Sequence, residues 1–148
     1  MPQTYTRLIY HIVFSTKNRE PWIDPTWRDE LHAYIGGIVR NRKGELLAAG
    51  GIADHMHLLL RLAADRSISD VVRDIKSNSS GWLREHRLAQ FRWQDGYGAF
   101  TLSPSGIPVL VEYIAKQVEH HAQESFRGEF LGLLTDNDVE YDPERLWE

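Results

Sequence analysis

Two strand-like runs separated by only two residues constrain this chain more than any other feature. Glu45 to Ile52 and His55 to Leu62 both read as β-strands, and the link Ala53-Asp54 is short enough for a hairpin. Side chains alternate along a strand, so His55 and His57 leave the same face while Met56 and Leu58 point to the other and can enter a core. Two imidazoles thus emerge side by side from one rigid element, which is the geometry a metal pair needs. An ordinary solvated strand face produces the same pattern. The choice between the two falls to the rest of the chain.

Taken in order, Thr4 to Phe14 is rich in aromatic and β-branched residues and reads as a first, central strand. Ser15 to Pro25 is a polar loop carrying Lys17 and Arg19. Pro25-Thr26-Trp27 opens a helix with Asp24 as its N-cap, and Leu31, Tyr34, Ile35 and Ile38 form its apolar stripe. Ser67 to Arg87 is a second helix, capped by Ser67 with Asp70 three residues on. Its apolar stripe is Ile68, Val71, Val72, Ile75, Ser79, Trp82 and Leu83. The other face carries Arg66, Arg73, Lys76, Arg84 and Arg87, and is read either as plain solvation or as a phosphate-facing surface.

Phe91, Trp93, Tyr97 and Phe100 gather around Gly96 and Gly98, a composition that suits base stacking and packing against a sheet equally well. A fourth strand is expected at about Ala99 to Leu102. A third helix is expected from Ser105 to about Ser125, followed past Leu134 by an irregular acidic tail. The order βαββαβ plus a helix is the ferredoxin-like split βαβ pattern of the α+β class: an antiparallel sheet, two helices on one face, strands one and three in the middle, and an additional C-terminal helix. That order puts His55 and His57 in mid-sheet.

With 148 residues the chain suits one domain, taken as 1–128, with an acidic tail 129–148 docked on it through Tyr141, Leu146 and Trp147. The absence of cysteine excludes a disulfide scaffold and a thiolate metal site. No signal peptide or membrane-length apolar run is present, so a cytoplasmic protein with no membrane partner is expected. The net charge of −4 argues weakly against nucleic acid, but it is unevenly placed. From Glu129 onward seven acids face Arg145 alone, which leaves the preceding part slightly positive. Phosphate contacts depend on the local patch rather than the total.

In the third helix Tyr113 and Gln117 stand at i and i+4 and share a face. A third ligand beside two histidines must offer a lone pair, and a Gln carbonyl oxygen can. Tyr113 then sits near the ion with its hydroxyl free. Alone, the tyrosine reads as packing and the glutamine as a surface amide; beside His55-Met56-His57 their residue types complement each other. His120 and His121, at i+7 and i+8 from Tyr113, read as helix-surface residues ahead of a part in the chemistry.

These motifs together resemble the single-tyrosine transposases of the HUH nuclease superfamily, which act on single-stranded DNA ends of small insertion sequences. The resemblance runs through His11-Ile12-Val13-Phe14-Ser15-Thr16-Lys17-Asn18-Arg19, Asp54-His55-Met56-His57-Leu58-Leu59, Lys76-Ser77-Asn78-Ser79-Ser80, Trp93 to Phe100 and Tyr113 to His121. It implies that His55, His57 and Gln117 hold a divalent ion, Mg²⁺ or Mn²⁺, and that Tyr113 is the nucleophile that forms a 5′-phosphotyrosine. One departure is Lys116, where the family pattern leads one to expect Asn. Asp54 reads either as a carboxylate that orients a histidine ligand or as a turn residue. The implied partners are single-stranded DNA with hairpins and a second copy of the chain in a homodimer. No nucleotide cofactor is implied, because the phosphotyrosine keeps the ester bond energy for rejoining. Lys17, Arg19, Arg73, Lys76 and Arg84 are the candidates for DNA backbone contact. The alternative on the same fold is a domesticated protein that binds or processes repeated hairpins.

Overall fold

β3 (His55–Leu62) and β1 (Leu8–Ser15) pair antiparallel along their whole length, from Leu8 opposite Leu62 to Ser15 opposite His55. They are the middle of a four-stranded sheet, described here from a computed structural model that covers residues 3–148. β2 (Glu45–Ile52) flanks β3 and β4 (Gly98–Thr101) flanks β1, both antiparallel. The fold is α+β and ferredoxin-like, with the two middle strands where the sequence puts them. β1 starts at Leu8 rather than Thr4, and β4 lies one residue earlier than expected.

One face of the sheet is covered by α1 (Arg28–Asn41) and α2 (Ile68–His86). Met56, Leu58, Ile12 and Phe14 point into this layer and meet Leu31, Ile35, Val72 and Ile75 in the main core. α2 starts as its sequence indicates, with the Ser67 hydroxyl accepting from the Asp70 N–H. α1 starts later than expected. Asp24 does not cap it but closes the preceding turn, accepting from the backbone N–H and hydroxyl of Thr26. Phe91, Trp93 and Phe100 are buried, so packing is the right reading for these three aromatics; Tyr97 stays about a third exposed.

The other face, the one carrying His55 and His57, is covered by the C-terminal part of the chain. Here the helix expected from Ser105 to about Ser125 is corrected to two, and a further helix follows them. α3 (Ile107–Ala115) stops at Lys116, whose φ and ψ leave the helical range, and α4 (Gln117–His120) follows at once. No glycine or proline marks the break. α5 (Phe126–Asp136) is a separate helix with the Ser125 hydroxyl capping Gly128 N–H. The division expected after residue 128 falls inside α5. Phe126, Phe130 and Leu134 of α5 pack on Val13 and Phe100, and Leu146 and Trp147 fold back onto this cluster while Tyr141 remains exposed.

Two glycines let these helices approach. A Cβ on Gly50 would lie 2.3 Å from the Ile114 carbonyl oxygen, and one on Gly98 would lie 2.8 Å from the Phe130 ring. Gly50 stands opposite His57 in the β2–β3 ladder, so α3 rests on the sheet beside the histidine pair. No helix among the described residues is long and apolar enough to cross a membrane.

Candidate metal centre

His55 and His57 point from β3 into the space between the sheet and the C-terminal helices, and both are fully buried. The solvated-face reading of the pair is thereby excluded. Neither imidazole is in an apolar setting, because polar groups from four elements converge there.

Gln117, at the start of α4, is buried, and its Oε1 lies 3.0 Å from His55 Nε2. The two residues expected to share an ion thus touch. His121, one helical turn on, has a buried imidazole whose Nε2 lies 3.0 Å from the same Gln117 oxygen. The surface role expected for His121 is therefore corrected. Tyr113, Gln117 and His121 stand at i, i+4 and i+8, a spacing that puts all three on one face. That signal is present in the sequence.

The residue with no sequence signal is Glu129. It sits in the first turn of α5, where an anion suits the helix N-terminus, and is 4% exposed. His57 Nε2–H donates to Glu129 Oε1 at 2.8 Å, His121 Nε2 lies 3.1 Å from that oxygen and His55 Nε2 3.4 Å. The other oxygen, Oε2, accepts from the Tyr113 hydroxyl and, at 3.2 Å, from Gln117 Nε2–H. His120 Nε2 lies 3.2 Å from Oε2 and 3.4 Å from the Tyr113 hydroxyl, so His120 stands at the rim.

Behind the pair, Asp54 Oδ1 accepts from His55 Nδ1–H at 2.8 Å while its backbone carbonyl takes Thr16 N–H at 2.9 Å. Asp54 thus holds the His55 ring from the turn between β2 and β3. His11, on the same face of β1, stacks on His57 with Nε2 2.8 Å from His57 Nδ1. Since His57 gives its Nε2 proton to Glu129, its Nδ1 accepts from His11 Nε2–H. Lys116, the position that departs from the family pattern, is exposed and paired with Glu112 at 2.7 Å, away from this cluster.

The charges follow from burial and hydrogen bonds. Burial opposes a charge on His55, but hydrogen bonds to Asp54, Glu129 and Gln117 outweigh it and push its pKa up to about 9. For His57 burial wins over Glu129, and its pKa lies below the usual value. His11 is pushed down to about 3, by burial first and by His57 second. Burial also works against ionised Glu129, yet the hydrogen bonds from His55 and His57 hold its carboxyl well below the usual carboxylate range. Burial, together with Glu129, raises the Tyr113 phenol far above its ordinary value.

The nitrogens of His55, His57 and His121 and a carboxylate oxygen of Glu129 all lie within 4.8 Å of one another. Three imidazoles and a carboxylate are a set of donors that can hold a divalent ion. Gln117 Oε1 adds a fifth donor beside them.

The DNA-contact candidates divide. Lys17, Arg73, Lys76 and Arg84 line one cleft, together with Arg92 and Tyr97. Lys76 is not free within it: its ammonium donates to the carbonyls of Gln94, Asp95 and Gly96, and burial lowers its pKa to about 8. Arg84 also donates to a carbonyl, that of Phe91, at 3.2 Å. Arg19 lies apart from the cleft, with its guanidinium 5.0 Å from the Trp147 ring. Arg92, exposed and lining the cleft, has no neighbouring sequence signal that sets it apart.

Residues 4–117 match the family described as "Transposase IS200 like". The transposases for insertion sequence element IS200 of Salmonella typhimurium (strain LT2) and of Salmonella typhi are each 28% identical over 136 residues, covering 84% of this chain and 83% of theirs. Among solved structures, a candidate transposase from Deinococcus radiodurans R1 superposes with a TM-score of 0.63 at 24% identity, over 79% of this chain and 96% of that one. A REP-associated tyrosine transposase bound to a REP hairpin gives a TM-score of 0.60 at 22% identity, over 81% and 73%. His121 and Glu129 both lie beyond the residues matched by the family.

Proposed function

The chain belongs to the family of IS200-like transposases, and on that premise we propose that it cuts and rejoins single-stranded DNA, with Tyr113 as nucleophile beside an ion held by His55, His57 and Gln117. The observation that carries this reading is a convergence within one protomer. The Tyr113 hydroxyl and the Nε2 atoms of both histidines meet on the two oxygens of a single carboxylate.

A phosphodiester repels an incoming anion, and a divalent ion, Mg²⁺ or Mn²⁺, would offset that repulsion and align the scissile bond. Asp54 fixes the His55 ring so that its Nε2 faces the site. The Tyr113 oxygen bonds to phosphorus and loses its proton, which in the net balance ends on the departing 3′ oxygen. The P–O3′ bond breaks, and the 3′ oxygen takes up a proton. The products are a 5′-phosphotyrosine and a free 3′-hydroxyl. A second 3′-hydroxyl reverses the step on a new strand, with no nucleotide cofactor.

The cleft lined by Lys17, Arg73, Arg84 and Arg92 supports hairpin DNA as the partner, since it offers cations at a concave surface. The hairpin-bound relative has the same fold. Lys76 braces this cleft from beneath, and Arg19 borders the docked C-terminal residues. The working assembly in this reading is a homodimer, which light scattering with and without hairpin DNA tests.

A second reading, hairpin binding without cleavage, is favoured by one feature. α2, which builds much of the cleft, packs on the face of the sheet opposite to His55 and His57. The experiment that separates the two is incubation with hairpin-bearing single-stranded DNA and Mn²⁺, followed by denaturing electrophoresis. A protein–DNA adduct lost in Tyr113→Phe supports the enzyme. Hairpin binding by the native protein with no adduct supports the binder.

A further inference from the structure

Glu129 has no task in the reaction just described, yet it is the most connected side chain in the site. It is an ionised carboxylate, 4% exposed, with no lysine or arginine among its partners. A buried charge is costly unless it is paired. Four histidines and a tyrosine surround this one: Oε1 faces His55, His57 and His121, and Oε2 faces Tyr113, Gln117 and His120.

We propose that Glu129 is a ligand to the ion through Oε1 and, through Oε2, the acceptor that fixes the Tyr113 hydroxyl beside it, with His121 as a further imidazole ligand. This rests on the function just proposed, and it adds a carboxylate to a ligand set that would otherwise be neutral. Neighbouring ligands about 2.1 Å from an octahedral ion stand about 3.0 Å apart. The separations of Glu129 Oε1 from the three imidazole nitrogens, 2.8, 3.1 and 3.4 Å, lie within about 0.4 Å of that spacing. Gln117 has its own work in this arrangement. Its amide N–H steadies Glu129 Oε2, and its carbonyl oxygen spans His55 and His121.

The two oxygens of one carboxylate then link the two reactive parts of the site. A ligand held on Oε1 cannot rotate freely, so Oε2 keeps a fixed direction toward the phenol. α5 carries this link, and α5 lies outside the residues matched by the family. Its position depends on Phe126 stacking against His55 and on Trp147 packing against Phe126 and Phe130.

The test is calorimetric titration of the full chain with MnCl₂ in the absence of DNA. The native protein should take up one ion, and Glu129→Gln should weaken binding by at least about tenfold, with His121→Gln doing the same. Tyr113→Phe, which leaves the ligands in place, should stay within about twofold. Circular dichroism confirms that each variant is folded; if Glu129→Gln is not, His121→Gln carries the comparison. A folded Glu129→Gln protein that binds Mn²⁺ as tightly as the native one overturns the ligand role. The second role is read at Mn²⁺ concentrations that saturate the variant. Adduct formation still slowed by at least about tenfold supports the link to Tyr113, and a native rate overturns it. Because the titration contains no DNA, ion binding that depends on Glu129 in a protein that never forms an adduct would refute the proposed function and leave this inference standing.

Discussion

Gly50 of β2 lies directly opposite His57 of β3, and the carbonyl of Ile114 passes close enough above Gly50 that no side chain fits between them. Ile114 follows Tyr113, so the residue that permits this approach sets the distance between the tyrosine helix and the histidine pair. Gly50→Ala should therefore cost about 1–3 kcal/mol of stability by overpacking, measured by urea denaturation. It should also slow adduct formation more than the stability loss accounts for, because α3 is lifted from the sheet. A variant with native stability and a native rate would show that α3 does not depend on this close approach.

Without metal the protein should be most stable near pH 6.5. His55 has its pKa raised to about 9, so its contribution is complete below 6.5 and is lost as pH rises toward 9. His11, lowered to about 3, and His32, lowered to about 4 by burial, act in the opposite direction. Their contributions are present above 6.5 and are lost as pH falls. Glu129, held below the carboxylate range, adds to the acid-side loss below about pH 4.5. Lys76, lowered to about 8, counteracts the alkaline decline above that pH. Thermal melting of metal-free protein between pH 4 and 8 should show the maximum; a steady rise to pH 8 would contradict the charge assigned to His55.

Metal binding should release a proton. His55 is an imidazolium near neutrality in the free site, and a ligand needs its Nε2 lone pair. Mn²⁺ affinity should rise between pH 6.5 and 9. The heat of titration at pH 7.5 should differ between buffers of different ionisation enthalpy, by an amount equal to about one proton per ion. Identical heats in the two buffers would mean that His55 keeps its proton.

The basic cleft should govern hairpin affinity and leave the chemistry alone. Replacing Arg73 and Arg92 by alanine should weaken binding to hairpin DNA and make the dependence of log K on log salt less steep by about one unit for each phosphate left without its cation. The rate of adduct formation at saturating DNA should stay near the native value. Lys76→Ala should behave differently and destabilise the protein, since Lys76 ties three carbonyls of the 94–96 segment to α2.

Much of this fold is legible in the residues. β2, β3 and α2 follow from alternation, an apolar run and a serine cap, each a local signal. The Tyr113–Gln117 face is legible for the same reason, and so is His121 on a strict count of helical turns. α5 carries a local signal too: Ser125 as a cap, then Phe126, Phe130, Leu133 and Leu134 at helical spacing. The run of acids after Glu129 obscures it by suggesting a solvated tail. Glu129 and His11 are another matter. His11 meets His57 only through the β1–β3 register, and Glu129 meets the site only because the 121–125 segment turns α5 back over the sheet. Spacing along one element carries no trace of either.

In the proposed chemistry Tyr113 becomes covalently joined to DNA at this site. Digesting the protein after incubation with hairpin-bearing single-stranded DNA and Mn²⁺, and locating the modified peptide by mass spectrometry, shows whether it does. The expected result is a 5′-linked nucleotide on Tyr113, absent when His57 is replaced by alanine. A nucleotide found on another residue, or DNA cleaved with Tyr113 unmodified in single-turnover conditions, would contradict it.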